Sequence, residues 1–549
     1  MGRIKKLRII FLAVMISLLL PVCALSAEAD PYVKIGLYYG TTALESANLS
    51  YELGDGYHLG YFESSGNHNA LYSLGDKRIT VLMAKKYYFA SKAFSLSSGG
   101  EEIGLYHVEL DFMTEDISEA LDILASVREA SPGAYPAYID GFYRVRIGSY
   151  TTKDAASSAI SAFKDNIDVS MTVVSSSGGY RVASTDTGKI LFEFSDNGKA
   201  LGVLPFTNDG SEPSTWHKNE IYPGGFIFSY SSGNNITVIN ILKLQDYVKG
   251  VVPYEINPNW PVEAQKAQAI CAKNYAMANT GRHSSGGFDL CTSVHCQVYR
   301  GIRTATDLSN SAVDDVYGQY VTYGGEIISA FYHSSNGGST ESAKNIWGTE
   351  IPYLQPVIDE YENINQIPNG VWKKEITTAE ITNILRDKGY STGNIADVFV
   401  ETFTDSGNVY KLTFIDTAGI RLSFERERAR TILGSFTISQ RYTISPKSAL
   451  YVQNGNVLTG GLAETYVIGA GGTVTRVSQQ SSQLSIITGS GVKTGIESGD
   501  ASTYIISGQG YGHNVGMSQY GAKGMAEAGF TYDEIIKHYF TGVEITNAD

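Results

Sequence analysis

The sequence predicts a β-rich α+β protein built from several domains. Three observations carry that expectation. A chain of 549 residues exceeds what one hydrophobic core organises. Long stretches alternate apolar and polar side chains, as in "VKIGLYYG" and "RITVLMAKKYYF", and 37 tyrosines and 58 glycines supply strand and turn residues. Only a few windows carry helical periodicity with start and stop signals.

In chain order, the first segment is an export signal. Arg3, Lys5, Lys6 and Arg8 precede an apolar run from Ile9 to Leu20, too short to span a bilayer comfortably, and Ala27-Glu28-Ala29 offers a cleavage site. Residues 1–29 are therefore set aside from the fold, and the protein is expected outside the membrane. Left uncleaved, the segment would be an anchor. Pro21 and Val22 ahead of Cys23 do not fit a lipoprotein signal.

Residues 30–135 read as a β-rich region that breaks near "SLSSGGEE" and continues into a helix, "TEDISEALDILASVREA", with Thr114 as cap and Glu115 and Asp116 in its first turn. Residues 136–186 form a compact pattern. "FYRVRIGSY" is a strand, and "TKDAASSAISAFKDN" a helix with Ala155, Ala159, Ile160 and Phe163 on its apolar side. "VSMTVVSS" and "YRVAS" are strands around a Ser-Gly turn.

From 187 to 549 strands return in "KILFEF", "GFIFSY" and "NITVINIL". "PVEAQKAQAICAKNYAMANTG" is a helix with Pro261 at its first position and Gly281 as its stop. Its stripe of Ala264, Ala267, Cys271, Tyr275 and Ala278 is mostly small, so another element can pack close. Thr377 with Glu380, and Thr531 with Glu534, read as capping boxes.

The formal charge is −14, and loss of the export signal would remove four basic residues and one acidic one. Nucleic acid, which needs basic surface, is excluded as a partner. So acidic a chain is also ill suited to anionic wall polymers and anionic lipids, while a neutral or cationic polymer stays admissible. Cys271, Cys291 and Cys296 remain after export, too few for a disulfide framework.

"GQGYGHNVGMSQYGA" at 508–522 is not a phosphate loop. Counting from Gly508 the sixth place is His513, counting from Gly510 it is Val515, and no G-K-[ST] follows. What it offers is bare backbone beside His513, Ser518, Gln519 and Tyr520. "FYHSSNGGSTE" likewise sets His333, Ser334, Ser335 and Asn336 ahead of two glycines, where short polar side chains can bond sugar hydroxyls and acetamido groups. In "HSSGGFDLCTSVHC", His283, Cys291, His295 and Cys296 supply two imidazoles and two thiols, a tetrahedral zinc set. A Cys291–Cys296 disulfide with incidental histidines is the competing reading. Glu255 follows a strand and the turn residue Pro253, among Val251, Val252, Tyr254 and Trp260. Such surroundings raise a carboxyl's pKa toward that of a general acid. The alternative is a structural glutamate near a helix N-terminus.

Two resemblances add to this reading. The 136–186 segment, through "YRVRIGSYTTKDAASSAI", resembles a SPOR domain, which implies binding to peptidoglycan glycan strands that have lost their stem peptides. "LQDYVKGVVPYEINPNWPVEAQKAQAICAKNYA", followed in order by "CTSVHCQVYRG", "AFYHSSNGGSTESA" and "GQGYGHNVGMSQYGAKGMA", resembles the SpoIID/LytB family over about 187–546. That resemblance implies a β-rich catalytic domain with a few helices, acting as a lytic transglycosylase on the glycan. Glu255 stands where such enzymes carry the catalytic glutamate. His333, Ser334, Ser335, Asn336, His513, Ser518, Gln519 and Tyr520 would meet the glycan. A structural zinc would sit on Cys291, His295, Cys296 and His283, the last being the least secure ligand. Ile256 and Lys273 depart from the family pattern, which often has Met and Arg there, and this puts substrate contacts in question more than the fold. The competing functions are a non-catalytic wall binder that modifies an amidase, as some LytB-type relatives are described, and a zinc-dependent wall hydrolase.

Overall fold

The computed structural model describes residues 30–164, 166–176, 178–231, 235–447 and 502–548, and between 451 and 494 the backbone pairing of three short hairpins. The expected export signal at 1–29 lies outside the described residues.

Two large sheets pack face to face. The first has seven strands in the order Leu290–Cys291, Tyr32–Tyr38, Ile236–Lys243, Gly225–Tyr230, Leu201–Phe206, Gly56–Phe62 and His68–Leu74. The second has ten: Met171–Ser175, Tyr106–Leu110, Phe142–Tyr150, Ala134–Ile139, Ile190–Ser195, Tyr180–Ser184, Arg78–Met83, Ser46–Leu53, Ser214–His217 and Glu220–Pro223. The period-two pattern decides which side chains enter the layer between them. Val33, Ile35 and Leu37 of one sheet share a core with Ala47, Leu49, Ile79, Val81 and Val182 of the other.

Strands from all three expected segments share these sheets. Tyr32–Tyr38 pairs antiparallel with Ile236–Lys243 and parallel with Leu290–Cys291, so the N-terminal region completes a sheet of the C-terminal one.

One end of the ten-stranded sheet is a βαββαβ unit. It runs through Tyr106–Leu110, helix α1 (Ile117–Ala130), Ala134–Ile139, Phe142–Tyr150, helix α2 (Lys153–Phe163) and Met171–Ser175. Its strands lie in the order fourth, first, third, second, all antiparallel. Both helices cover one face, where Leu124 and Val127 of α1 and Ile160 and Phe163 of α2 meet Val108, Val145 and Ile147. The second half of this unit is the pattern read from 142 to 175. The first half was assigned by sequence to the preceding region, because nothing in the sequence of α1 says which sheet it covers. Asp116, not Thr114, caps α1, accepting the Ser118 N–H at 2.8 Å, while the Thr114 hydroxyl donates to Glu119 at 2.6 Å.

"LQDYVKGVVPYE" is helix α3 (Leu244–Glu255), where the sequence suggested a strand and a turn. Its apolar residues Leu244, Tyr247, Val248, Val251 and Val252 follow a helical spacing, but Lys243 gives it no side-chain cap and Pro253 argued for a turn. Pro253 stands in the last turn and forgoes the hydrogen bond to the Lys249 carbonyl, and the Ile256 N–H closes the helix on the Val252 carbonyl at 3.0 Å. Helix α4 (Val262–Ala278) follows. Pro261 is its extended N-cap, not its first helical residue, and Asn279 is its C-cap, with Gly281 two residues further on. Helices α5 (Asp307–Asp314), α6 (Ala343–Trp347), α7 (Thr378–Asp387), α8 (Glu427–Thr431), α9 (Gln519–Glu527) and α10 (Tyr532–Tyr539) complete the helices discussed below. The small residues of α4 let α3, α5, α9 and α10 surround it, and Cys271 is core, as expected. Its buried polar side chains act as backbone would: Asn274 donates to the Val321 carbonyl at 2.7 Å and accepts the Val321 N–H at 2.9 Å. Both capping boxes form, on α7 and α10. A second core, built on α7, α8 and the strands Val371–Thr377, Ile395–Phe403, Val409–Asp416 and Thr503–Gln509, stands beside the main one.

This arrangement predicts that residues 187–548 do not fold alone, because Tyr32–Tyr38 is an interior strand of their sheet. Denaturant unfolding of that fragment should show no cooperative transition, whereas residues 30–548 should show one. A cooperative transition for the fragment would contradict the shared sheet.

Candidate active site

A cleft of about 670 Å³ opens between the end of α3, the loop 291–298, the segment 331–334 and the glycine-rich stretch before α9. Glu255, the last residue of α3, enters it. Its Oε1 accepts the Val298 N–H at 2.9 Å, and its Oε2 lies 3.5 Å from the Gln519 amide nitrogen. The Tyr332 hydroxyl also hydrogen-bonds it, while accepting from Gln297 at 3.0 Å. Burial is the dominant influence and raises the carboxyl pKa, and these hydrogen bonds only partly oppose it. Sequence reasoning put Glu255 near a helix N-terminus. It stands at a C-terminus instead, where the helix dipole disfavours negative charge and adds to the upward shift.

The four expected metal ligands come together beside this carboxyl. The His283 Nε2 lies 3.3 Å from the Cys296 Sγ, and the His295 Nδ1 lies 3.5 Å from Cys296 and 3.8 Å from Cys291. All four ligand atoms fall within 4.8 Å of one another, and both thiols are free. A tetrahedral ion with bonds of about 2.0–2.3 Å spaces its ligands by roughly 3.3–3.8 Å, so the donor set fits zinc in chemistry and in size. Two elements place it. Tyr32–Tyr38 carries Cys291 at its edge, and Phe288 stacks on His283 with ring centroids 5.0 Å apart.

The polar loops divide into those that reach the cleft and those that build it. His333, Ser334, His513 and Gln519 line it. His333 donates through Nδ1 to the Val515 carbonyl at 3.2 Å, leaving its buried Nε2 without a partner among the described residues. The His513 Nδ1 accepts the Val515 N–H at 3.1 Å, so the neutral ring carries its proton on Nε2. Burial lowers the His333 pKa to about 4 and pushes that of His513 well below the ordinary value.

Ser335, Asn336 and Ser518 do not line the cleft. All three are fully buried, and their side chains are held by carboxylates or used as caps. The Ser335 hydroxyl donates to Glu362 at 2.9 Å, the Asn336 amide to Asp359 at 2.8 Å, and Ser518 caps α9 while bonding Glu362. Tyr520 packs on Trp260, with centroids 4.8 Å apart, outside the cleft lining.

The glycines serve close backbone approach. Tyr332–His333 pairs with Met517–Ser518, and Ser335 bridges Tyr511. At Gly516, φ is +75°, and a Cβ would stand 2.2 Å from the Phe331 carbonyl oxygen; at Gly512 it would stand 2.8 Å from the His333 Cβ.

Sequence reasoning missed several residues. Tyr332 and Gln297 bond Glu255 directly or at one remove. Glu362 gathers the Asn336 N–H at 2.7 Å, the Gly337 N–H at 3.0 Å and two serine hydroxyls, pinning both loops. Glu427 is a second carboxylate in the cleft, accepting from the Trp347 indole at 3.0 Å and paired with Arg430 at 3.0 Å. Tyr332 and Gln297 lie inside quoted motifs and were passed over there. Glu362 and Glu427 stand in stretches without a pattern.

With this geometry in hand, comparison with known proteins is direct. Residues 232–323 match the family model for the Stage II sporulation protein, SpoIID, and residues 114–174 match that for the SPOR domain. The chain carries a SpoIID domain and a SPOR domain. The SPOR match includes α1. The SpoIID match spans α3, α4, Glu255 and all four Cys/His residues. Among relatives, an Amidase enhancer of Bacillus subtilis is 29% identical over 326 residues, covering 55% of this chain and 40% of that protein. Stage II sporulation protein D of the same organism is 26% identical over 330 residues, covering 57% of this chain and 77% of its own. An uncharacterized protein of Brachyspira hyodysenteriae is 28% identical over 347 residues, covering 63% and 77%. No helix among the described residues is long and apolar enough to cross a membrane.

Two stability predictions follow from the carboxylates of the SpoIID domain. Glu362→Ala strips an acceptor from four buried donors and should cost about 3 kcal/mol or more in urea unfolding. A cost below about 1 kcal/mol would show that the loops hold without it. Because the folded pKa of Glu255 is raised, the folded state binds its proton more tightly than the unfolded state does. Stability therefore falls as pH rises from the ordinary 4.5 through the folded value. Glu255→Gln should flatten that part of the Tm-against-pH curve and raise Tm above it.

Proposed function

We propose that this cleft cuts peptidoglycan glycan strands lacking stem peptides, as an exported lytic transglycosylase with Glu255 as its acid and base. The observation that carries the proposal is a half-buried carboxyl with a raised pKa, in a polar cleft, without an ion-pair partner among the described residues. Protonated Glu255 gives its proton to the oxygen linking N-acetylmuramic acid to N-acetylglucosamine as the bond from C1 to that oxygen breaks. The carboxylate then takes the proton of the sugar's own C6 hydroxyl as that oxygen bonds C1, leaving a 1,6-anhydro end. The Val298 N–H and the Tyr332 hydroxyl orient the carboxyl for both transfers. His333, through its bare Nε2, accepts from a sugar hydroxyl, and Gln519 donates.

Zinc is assigned to His283, Cys291, His295 and Cys296. With all four ligands from protein, the ion would supply structure, fixing the loop that presents the Val298 N–H to Glu255. The SPOR domain takes the same polymer, so the two modules reinforce one another through effective concentration. A second reading rests on the relative named Amidase enhancer: the chain binds wall glycan and modifies an amidase without cutting.

Digestion of purified peptide-free glycan, read by mass spectrometry, separates these. Wild type and Glu427→Gln should both yield anhydro ends, and Glu255→Gln should be slower by about 10²-fold or more. Water-added ends, lost in Glu427→Gln as well as in Glu255→Gln, would mean a paired-carboxylate hydrolase. No fragments from wild type would favour the binder. Since the acid must be protonated, the rate should decline as pH rises through the raised pKa of Glu255. Chelation should lower the rate together with zinc content, and Cys291→Ser should do the same.

A further inference from the structure

Three hollows on this molecule share walls in sequence, each with the next. Val294, 90% exposed, belongs both to the Glu255 cleft and to a second hollow of about 520 Å³, lined also by Tyr38 and Arg300. Lys218 belongs both to that second hollow and to a third, of about 680 Å³, on the outer face of the ten-stranded sheet. There Ser46, Asn48 and Ser50 alternate along one strand, and Trp216, Arg78 and Lys92 stand around them.

Two details mark this surface as more than a crease. Lys218 and Lys92 each sit in a two-residue hairpin turn at positive φ, 49° and 63°, beside Asn219 at 69° and Ser91 at 49°. Such turns favour Asn and Gly, and a lysine held there costs on the order of 1 kcal/mol. Both lysines are exposed at the turn tips, and Lys218 forms no ion pair among the described residues. Acidic groups are also present but are occupied. Asp186 lies between Arg78 and Lys92, Glu220 pairs with Arg303 at 3.3 Å, and Glu52 accepts from the Trp216 indole N–H, which leaves the ring face free. A chain of net charge −14 thus keeps cations along this line, with one indole beside them.

We infer that the three hollows form one trough that holds an extended anionic glycan strand, running from Glu255 over Val294 and Lys218 to Trp216. The inference rests on the glycan-cutting reading above and extends it. Peptide-free strands carry a lactyl carboxylate on every second sugar, which suits Arg300, Lys218 and Lys92. Their pyranose faces suit an indole. The trough makes length a determinant of substrate choice, since a short oligosaccharide fills the cleft alone.

The test uses the exported chain with Glu255→Gln, so that nothing is cut. Long peptide-free strands should quench the emission of Trp216, identified by its loss in Trp216→Phe, while a tetrasaccharide should not. Lys92→Glu with Lys218→Glu should shift the midpoint of that quench about tenfold, the size expected from reversing two exposed charges, and should leave cleavage of the tetrasaccharide unchanged when Glu255 is restored. Strands that wild type cuts but that leave Trp216 silent would overturn the trough, and so would a midpoint indifferent to the lysines. Wild type that cuts no strand of any length would instead defeat the reading of the cleft itself.

Discussion

The 2.9 Å hydrogen bond from the Val298 N–H to Glu255 joins the two halves of the candidate site. On one side is the end of α3, buried on most of its surface and anchored on α4. On the other is a loop shaped by two cysteines and two histidines. Neither half would hold a carboxyl in place by itself. A glutamate at a helix terminus is free to swing into water, and a loop N–H without an acceptor turns outward. Their meeting fixes the carboxyl in a partly desolvated position, and that position is what raises its pKa. A structural ion at His283, Cys291, His295 and Cys296 would therefore act on the chemistry at a distance of only two residues along the chain.

The opposite wall of the cleft obeys a different constraint. Two segments far apart in sequence, around 333 and 516, run side by side as a two-stranded ladder. Glycines at 512 and 516 make the approach possible, and Glu362 makes it durable by accepting from both segments. Much of the polarity that draws the eye in the sequence is spent on this construction. Ser335, Asn336 and Ser518 are fastened to carboxylates or to a helix terminus, and only His333, Ser334, His513 and Gln519 keep an atom toward the cleft. A conspicuous polar motif is thus mostly scaffold, with a few side chains left over for a ligand.

What the sequence disclosed follows from the same physics. Strands with one buried face were legible, because their alternation has a period of two that nothing else imitates. Helices with signals at their ends were legible too, as with the boxes at Thr377 and Thr531. Helix α3 was not, although Leu244, Tyr247, Val248, Val251 and Val252 keep a helical spacing, because Lys243 offers no capping side chain and Pro253 argued for a turn. The Cys/His set was visible from spacing, since its four members lie within fourteen residues. Glu362 and Glu427 were invisible, because a lone glutamate acquires meaning only from what folds against it. The participation of Tyr32–Tyr38 in the sheet that carries Cys291 is likewise a long-range fact that no local pattern records.

The charge state of the cleft follows from how its walls are packed. His333 and His513 lie 5.5 Å apart between ring centroids, and Phe331 and Trp347 close around His513. Protonating either would place a cation in an apolar recess beside another imidazole, so burial holds the His333 pKa at about 4 and that of His513 well below the ordinary value. Neutral imidazoles keep fixed tautomers: His513 is held between the Val515 N–H and the Tyr332 backbone, and His333 keeps its Nε2 as an open acceptor. Under the proposed reaction such a cleft would separate its tasks: the histidines would hold a ligand without trading protons, and the carboxyl, half-desolvated at the end of α3, would be the group left to move one.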